Sequence, residues 1–367
     1  MTPRTLTLRE LNRAVLARQR LLDRAAESAY DVLEAVGGLQ AQVANPPYIG
    51  LWSRVDGFQR ADLERLIETK DVVRATMLRA TLHLFTAREF TLHRPALHPA
   101  ITRMYAGYSG QAGKGVDIDA VCAAARESFA QGPRTFVEIR ALMEQVAPGI
   151  DPQASSNFVR AHLPILQTAP GGFWGFGGEI RYALPEYHLG VTVPVSDSPD
   201  VKPLIRRYLA AFGPATVMDF QTWSGLKRMK DAFEAMRAEL VTYHDPDGRT
   251  LFDLPDAPLP DGDTPAPIRL IPEYDNLVIA HDDRRRVLAD ADRPHVFLSA
   301  ARVRATYLVD GFVAGAWKIE KAKKALTLIY EPFRTLYPDD EAALRAEAER
   351  LLRWIDPAAE TLDVRAG

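Results

Sequence analysis

The 367-residue chain contains a single cysteine, Cys122. One cysteine cannot build an intrachain disulfide framework or a zinc site of several cysteines, and such scarcity favours a reducing compartment. The eight histidines also lack the paired spacing of a metal site such as HExxH. We therefore predict that the protein uses neither a metal ion nor another cofactor.

Long apolar segments are missing as well. No run reaches the roughly 18 apolar residues of a membrane-spanning helix, and the N-terminus lacks the apolar core of a signal peptide. We therefore expect a cytoplasmic protein without membrane contact. With 47% hydrophobic and 25% charged residues, the composition is that of a globular protein of about two to three domains.

An excess of positive charge is also absent, since the net charge is −3 and the pI is near 6.3. This balance weighs against nucleic-acid binding, although local basic clusters matter more than the total. The clusters are Arg206-Arg207, Lys227-Arg228 with Lys230, Arg284-Arg285-Arg286, and Lys318 with Lys321, Lys323 and Lys324. Each cluster taken alone is better explained as a solvated surface, so composition neither supports nor excludes DNA.

An internal repeat is the most informative pattern in the chain. Residues Gly132–Glu138 (GPRTFVE) recur as Gly213–Asp219 (GPATVMD). In each copy a threonine stands three residues before an acid, which is the form of a helix-capping box. A helix precedes each copy, and a further helix and a hairpin follow it. Three helices closed by a hairpin are typical of a winged helix, so we interpret both copies as winged helices.

A more diverged third copy is predicted at the N-terminus. Its first helix spans 8–22, a cap lies at Ser28–Asp31, a third helix covers 61–68, and a hairpin covers 72–85. Beyond it, Pro95 and Pro99 favour a loop around two histidines. We expect winged helices at 1–110, 111–198 and 199–262.

The composition changes from Pro255, where a Pro/Asp/Gly-rich stretch indicates a linker. Short apolar strands are predicted after it, with Asp310-Gly311 as a hairpin turn and a helix at 341–355. The predicted strands span 268–271, 277–280, 303–309, 313–317 and 325–330. The overall prediction is an α+β fold: three tandem winged helices followed by a small β-barrel at 263–367.

The segment Met77–Phe85 alternates between apolar and polar residues. On a strand, Arg79, Thr81 and His83 would share one face, spaced about 7 Å apart like successive phosphates of one DNA strand. This row could contact a DNA backbone or line an active site, while the plainer reading is a half-buried strand with a solvated face.

Two glutamines, Gln40 and Gln42, follow the Gly37-Gly38 pair. On a regular helix their side chains would diverge by about 200°, so they converge only if the segment is extended or turned. The two glycines make such a break plausible. Taken alone, the pair would be read as two surface glutamines.

An ordered set of motifs across nearly the whole chain nevertheless resembles the AlkZ/YcaQ family of DNA glycosylases. The similar segments are Gly37–Gln42 with Gly50–Trp52, Arg79–His83, Gly213–Thr216 with Trp223–Leu226, Pro272–Leu277, and Asp310–Trp317. The segment Asn45-Pro46-Pro47 departs from the charged, alanine-rich stretch expected after the glutamines.

The resemblance implies tandem winged helices in a C shape with a C-terminal barrel. It also implies hydrolysis of the N-glycosidic bond of alkylated purines, in some members within interstrand crosslinks, with Gln40 and Gln42 as the catalytic pair. The candidate DNA contacts are Arg74, Arg79, Thr81, His83, Arg284, Arg285, Arg286 and Lys318. The expected partner is double-stranded DNA carrying alkylated purines, bound by a monomer.

The chemistry of glutamine restricts the substrate. An amide can orient a water molecule but cannot deprotonate it, so such a site suits purines that are already cationic and leave readily. The alternatives are a non-catalytic winged-helix protein, acting as a regulator or lesion shield, and a protein–protein scaffold. Basic clusters scattered over the fold would favour the scaffold.

Overall fold

The computed structural model describes residues 3–196 and 198–367 as a mixed α+β fold. The helices are α1 (Leu8–Arg18), α2 (Ala29–Ala35), α3 (Pro46–Trp52), α4 (Arg60–Glu68), α5 (Ala87–Ser109), α6 (Ile118–Ala130), α7 (Phe136–Val146), α8 (Pro152–His162), α9 (Pro185–His188), α10 (Lys202–Phe212), α11 (Val217–Ser224), α12 (Lys230–Glu234), α13 (Asn276–Ile279), α14 (Arg293–Val296) and α15 (Pro338–Ile355).

The strands are β1 (Leu39–Gln40), β2 (Val72–Thr76), β3 (Leu82–Thr86), β4 (Arg134–Thr135), β5 (Leu166–Gln167), β6 (Arg181–Ala183), β7 (Val241–His244), β8 (Thr250–Asp253), β9 (Arg269–Ile271), β10 (Phe297–Leu298), β11 (Arg302–Val303), β12 (Thr306–Val309), β13 (Phe312–Ala322), β14 (Ala325–Pro332) and β15 (Thr361–Ala366). Within the described ranges, no helix is long and apolar enough to cross a lipid bilayer.

The capped helices predicted from the repeat are present. Thr135 and Glu138 form a reciprocal capping box at the start of α7, and Thr216 and Asp219 form the equivalent box at α11. Ser28 caps α2 by accepting a hydrogen bond from the amide of Asp31. Each box pairs amides that the first helical turn would otherwise leave without a partner, which explains why the chain starts a helix at these points.

The hairpins of the first two repeats join in one sheet. Six strands run in the order β1-β3-β2-β5-β6-β4, and β2 pairs antiparallel with β5 through Arg74 opposite Gln167. In the third repeat β7 and β8 form a separate two-stranded hairpin. The first two repeats are therefore held together by backbone hydrogen bonds as well as by side-chain packing.

The predicted barrel is wrong, because the C-terminal strands form an open sheet. Its five strands run in the order β15-β14-β13-β12-β9, and β15 and β9 do not pair within the described residues. Helix α15 packs on this sheet with Leu344 and Leu351 against Leu326 and Leu328, so a helix rather than closure buries the apolar face. The turn at Asp310-Gly311 joins β12 to β13 as expected.

The main apolar core crosses the limits between the repeats. It contains Phe85 from the first hairpin, Tyr208 and Trp223 from α10 and α11, and Leu277 from α13, each at most 1% exposed. The second repeat has a smaller core of its own around Phe129 and Met143. The first repeat, the third repeat and the C-terminal part are consequently packed as one body around the first hairpin.

Candidate functional site

Gln40 lies on the short strand β1, which Val36, Gly37 and Gly38 separate from the end of α2. Gly38 has φ of +79°, and a Cβ atom there would lie 2.5 Å from the ring of Phe85, so a side chain at this position would collide. The chain then runs antiparallel to β3, with Gln40 opposite His83. Gln40 thus lies on an extended segment, one of the two arrangements in which the sequence would allow the glutamines to converge.

Arg79 holds the side chain of Gln40. Its guanidinium donates hydrogen bonds to Oε1 of Gln40 (2.8 Å), to the carbonyl of Trp223 (2.6 Å) and to Oδ1 of Asn276 (3.1 Å). These acceptors belong to β1, α11 and α13, which lie in three separate parts of the chain. Burial lowers the pKa of Arg79 to about 10, with a smaller contribution from Arg284, and the side chain therefore stays charged near neutral pH.

The continuous strand predicted for Met77–Phe85 is wrong. Only Leu82–Thr86 is a strand, and Leu78–Ala80 forms a 3-10 turn at the hairpin tip. Arg79 adopts the left-handed conformation there, with φ of +53°. Because a turn does not alternate its side chains, Arg79, Thr81 and His83 do not form one outward row.

A close backbone contact fixes this tip against α11. Gly225 ends α11 with φ of +83°, and a Cβ atom at this position would lie 3.2 Å from Cα of Arg79. Glycine is the residue that allows both the left-handed conformation and this approach. The turn that carries Arg79 thus packs directly against the end of α11.

His83 is an internal residue, whereas Thr81 is half-buried, so burial argues against the predicted DNA contact at His83 and not at Thr81. The hydroxyl of Thr81 donates to the carbonyl of Leu78 at 3.0 Å and closes the turn. His83 is fully buried, its Nδ1 lies 3.0 Å from the carbonyl of Thr81, and its Nε2 lies 3.5 Å from Arg79. Burial, reinforced by Arg79, lowers the pKa of His83 to about 3, so the imidazole is neutral.

Gln42 is exposed, in contrast to Gln40, which is 9% exposed. Its Oε1 accepts a hydrogen bond of 3.3 Å from the amide of Leu82. Arg74 holds the backbone of the same segment, because its guanidinium donates hydrogen bonds to the carbonyls of Ala41 (2.8 Å) and Gln42 (3.3 Å). Arg74 is 7% exposed and positions the motif from within the fold, and the DNA contact predicted for it stays a prediction.

The Arg284–Arg286 cluster does not form the expected DNA-binding patch. Arg286 is buried and donates to the carbonyl of Pro214, and Arg285 forms an ion pair of 2.6 Å with Asp283. Arg284 is half-buried and lies 4.9 Å over the ring of Phe297. Arg285 is paired with an acid, Arg286 is buried, and Arg284 lies over an aromatic ring, so the cluster is mainly structural.

Lys318, Lys321 and Lys324 are exposed and paired with acids, whereas Lys323 is exposed and forms no ion pair among the described residues. Lys318 pairs with Glu320 at 2.6 Å, and Lys321 pairs with Asp356 at 3.3 Å. By contrast, Lys227 and Arg228 are exposed and form no ion pair within residues 3–196 and 198–367. They follow Gly225 with only Leu226 between, and Gly225 contacts the hairpin tip that carries Arg79.

Asn276 is the member of the site that the residue-by-residue reading missed. Besides accepting from Arg79, its amide donates to the carbonyl of Gly38 at 3.2 Å. The preceding residue, Asp275, forms a fully buried two-bond pair with Arg54 at 2.8 and 2.9 Å. The sequence signal that contains Asn276 is the family-like segment Pro272–Leu277. The strand predicted for residues 277–280 is wrong, because these residues belong largely to α13.

A cluster of carboxylates that could attract a cation lies elsewhere, between the third repeat and the C-terminal part of the chain. The carboxylates of Asp245, Asp247 and Asp283 lie within 4.8 Å of one another. Arg249 and Arg285 form ion pairs across all three of them. The arginines already supply the positive charge that a metal ion would provide, so this cluster is a salt-bridge network.

Repeated helix-and-hairpin units around an amide-rich site, with an open C-terminal sheet, define a protein of the mixed α+β class. The family model described as "DNA glycosylase AlkZ-like" matches residues 33–354 of the chain. The chain therefore belongs to the AlkZ-like DNA glycosylase family.

The chain is also similar to one curated protein in sequence and to one solved structure in fold. The chain is 26% identical to an interstrand DNA cross-link repair glycosylase from Streptomyces sahachiroi, over 92% of this chain and 94% of that protein. Its fold is similar to the solved structure of the Streptomyces sahachiroi DNA glycosylase AlkZ, with a TM-score of 0.76 and 20% identity, covering 99% of this chain and 100% of that one.

Proposed function

We propose that this protein is a monofunctional glycosylase that hydrolyses the N-glycosidic bond of cationic N-alkylated purines in double-stranded DNA. Family membership supports the activity, and the anchoring of Gln40 by Arg79 is the observation that carries the site assignment. The name of the Streptomyces relative adds purines within interstrand crosslinks to the substrates we propose.

The two glutamines have different tasks in this proposal. Arg79 occupies Oε1 of Gln40, which leaves the amide NH₂ group of Gln40 to donate to the reacting water or to the sugar. The side chain of Gln42 is exposed, and its Oε1 accepts only one long hydrogen bond, from the amide of Leu82. The second lone pair of this oxygen can accept a hydrogen bond from the same water. Both groups orient the water without removing its proton.

Weak assistance of this kind is sufficient only for a good leaving group. A purine alkylated at N7 or N3 carries a positive charge and departs as a neutral base, so no general acid is required. Positioning the water at the anomeric carbon then supplies the main rate enhancement. The neutral state of His83 is consistent with this scheme, because it adds no further positive charge beside a cationic lesion.

We propose that the repeats bind DNA as winged helices and that Lys227 and Arg228 contact its phosphates. These two residues combine exposure, absence of an ion pair among the described residues and proximity to the Arg79 turn. They replace Arg285, Arg286 and Lys318 as the preferred contacts. We further propose a monomer that acts in the cytoplasm on the nucleoid.

Base release tests the proposed activity. A duplex carrying N7-methylguanine is incubated with excess protein, and the released base is measured for the wild type, Gln40→Ala, Gln42→Ala and the double variant. Loss of water positioning should lower the single-turnover rate by about 100-fold in the double variant. Gln111→Ala, which truncates another exposed glutamine, is the matched control and should react at the wild-type rate.

The outcomes separate the activity from its assignment. Absence of release by the wild type from both methylated and crosslinked duplexes would contradict the glycosylase proposal. Release that is unchanged in the double variant would instead show that the chemistry lies at other residues.

A further inference from the structure

The centre of the candidate site holds a cation without an acidic partner. The three oxygens that accept hydrogen bonds from Arg79, described above, belong to two amides and a backbone carbonyl, so none of them is charged. In the part of the chain that the structure describes, no carboxylate forms an ion pair with Arg79. The carboxylate next to Asn276 in the chain, that of Asp275, is fully buried and paired with Arg54. The protein therefore leaves the charge of Arg79 unbalanced.

Further cations without an acidic partner lie around Arg79. Arg284 is half-buried, donates to the backbone of α13 at 3.1 Å and adds its charge to the burial that lowers the pKa of Arg79. Arg103 is exposed and donates to the backbone of the glycine that packs against the Arg79 turn. Like Lys227 and Arg228, neither Arg284 nor Arg103 forms an ion pair within the described ranges. An approaching anion therefore finds several cations that the protein itself does not pair.

Arg79 also keeps hydrogen-bond donors for an additional acceptor. A guanidinium has five N–H groups, and the bonds described above use three of them. The side chain is half-buried and is thus not sealed from solvent. The anionic oxygens of a phosphate accept such N–H groups in short, charge-assisted hydrogen bonds. Unbalanced charge and spare donors together make Arg79 suited to a phosphate of the DNA.

The release of a cationic purine moves positive charge onto the sugar. As the bond between C1′ and N9 breaks, its electron pair goes to the purine, which leaves as a neutral base. The oxygen of the water then bonds to C1′, and the water proton passes to solvent. Enzymes that cleave glycosidic bonds often place a carboxylate beside the cationic sugar, whereas Gln40 and Gln42 offer only neutral amides. An unbalanced guanidinium nearby would oppose the charge on the sugar.

We propose that a phosphate next to the lesion binds Arg79 and supplies the negative charge that the protein lacks for this step. The inference rests on the proposed function and adds a task for the backbone of the substrate. The two phosphates that flank a nucleotide are covalently attached to its own sugar, so a phosphate held by Arg79 lies beside the sugar that becomes positive. It balances the guanidinium and favours the transition state. The amides provide position, and the DNA provides charge.

Duplexes with one neutral phosphate test this inference. N7-methylguanine is placed in duplexes that carry a methylphosphonate on its 5′ side, on its 3′ side or near the end of the same strand, and in an unmodified duplex. Single-turnover rates are measured with saturating wild type, Arg79→Lys and Arg79→Gln. Lysine keeps the charge and glutamine removes it, so the two variants form a matched pair. Each rate is divided by that of the same protein on the unmodified duplex, which cancels the loss caused by the substitution itself.

One of the flanking methylphosphonates should lower the rate by about tenfold or more in the wild type and in Arg79→Lys. The same modification should change the rate of Arg79→Gln by less than about threefold, because the phosphate is no longer held at the site. The methylphosphonate near the strand end should have no effect in any of the three proteins. Equal ratios at flanking and distant positions in the wild type would overturn the inference, and so would full sensitivity of Arg79→Gln.

Two further measurements keep the result unambiguous. If urea unfolding shows that Arg79→Gln is not folded, Asn276→Asp takes its place, because a carboxylate at this acceptor, 3.1 Å from Arg79, balances the guanidinium internally and should reduce the methylphosphonate effect. If the wild type releases no base from the unmodified duplex, the proposed function fails. Affinities for the same duplexes then decide the phosphate contact: the flanking methylphosphonate should weaken binding by the wild type and Arg79→Lys but not by Arg79→Gln, and equal weakening in all three would overturn it.

Discussion

The guanidinium of Arg79 donates a 2.8 Å hydrogen bond to Oε1 of Gln40, although Arg79 lies on a turn and Gln40 on a separate strand. The same guanidinium reaches the carbonyl of Trp223 and the side chain of Asn276. A planar group with five donors can satisfy three acceptors in fixed directions. The position of Gln40 therefore depends on the third repeat and on the C-terminal part of the chain.

Replacing Arg79 by lysine should separate positioning from charge. Lysine keeps the positive charge but cannot reach three acceptors with a planar fork, so Gln40 should lose its fixed orientation. We expect the single-turnover rate of base release to fall about 10- to 100-fold, with a much smaller change in DNA affinity. Unfolding in urea should show a loss of about 1–3 kcal/mol, because buried acceptors lose their donor.

Arg126→Lys, at an exposed ion pair with Glu186, controls for the exchange of arginine for lysine. An Arg79→Lys variant with wild-type turnover would mean that Gln40 needs no anchor.

The buried His83 should make the protein less stable in acid. Its pKa is about 3 in the folded protein and 6.5 in the unfolded chain, so the unfolded state binds the proton more readily as the pH falls below about 6.5. The free energy of unfolding should therefore decrease from about pH 6.5 towards about pH 3 and be independent of this group at higher pH. His83→Gln removes the titrating ring and should lose about 2 kcal/mol less than the wild type between about pH 7 and about pH 5.

Urea unfolding at the two pH values measures this difference. The exposed residue His295 provides the control substitution, His295→Gln, which should keep the acid sensitivity of the wild type. Equal slopes for His83→Gln and the wild type would contradict a buried neutral histidine at this position. The buried residue His281, whose pKa is also lowered by burial, should preserve part of the acid sensitivity in every variant.

The exposed cations after α11 should carry part of the DNA affinity. Lys227→Ala with Arg228→Ala removes two charges that no described acid neutralises, so binding should weaken and the salt dependence of log K should fall by about 2. The effect should be uniform across sequences, because phosphates carry no sequence information. Fluorescence anisotropy at several salt concentrations gives both quantities.

Lys321→Ala with Lys324→Ala is the matched control, since these exposed lysines pair with Asp356 and Glu360. A larger loss of affinity in that control would place the DNA on the C-terminal sheet instead.

Local patterns predicted the local structure well. The threonine and acid of each repeat were sufficient to predict the starts of α7 and α11, because a capping box involves only neighbouring residues. The helix α5 was missed, since Pro95 and Pro99 lie inside it, and the sequence could not show that burial of Phe90, Leu97 and Ile101 would outweigh the two lost amide donors.

The candidate site was harder to predict because its geometry comes from distant contacts. Gln40 and Arg79 were both named from the sequence, but the alternation around Arg79 suggested a strand where packing against Gly225 favours a turn. The arginines at 284–286 looked like a basic patch, and only the fold shows that Asp283 and the carbonyl of Pro214 engage two of them. Charge in a sequence does not reveal whether its partner lies nearby in space.

The contact between Arg79 and Asn276 also determines when, during synthesis of the chain, Gln40 can be held in place. The ribosome makes both glutamines early, but the side chain that completes the anchor of Gln40 comes from α13, near the start of the last part of the chain. A nascent chain that ends before this helix carries the whole glutamine motif and lacks its support. The anchored form of Gln40 should therefore appear late in translation, once about three quarters of the polypeptide is available to fold.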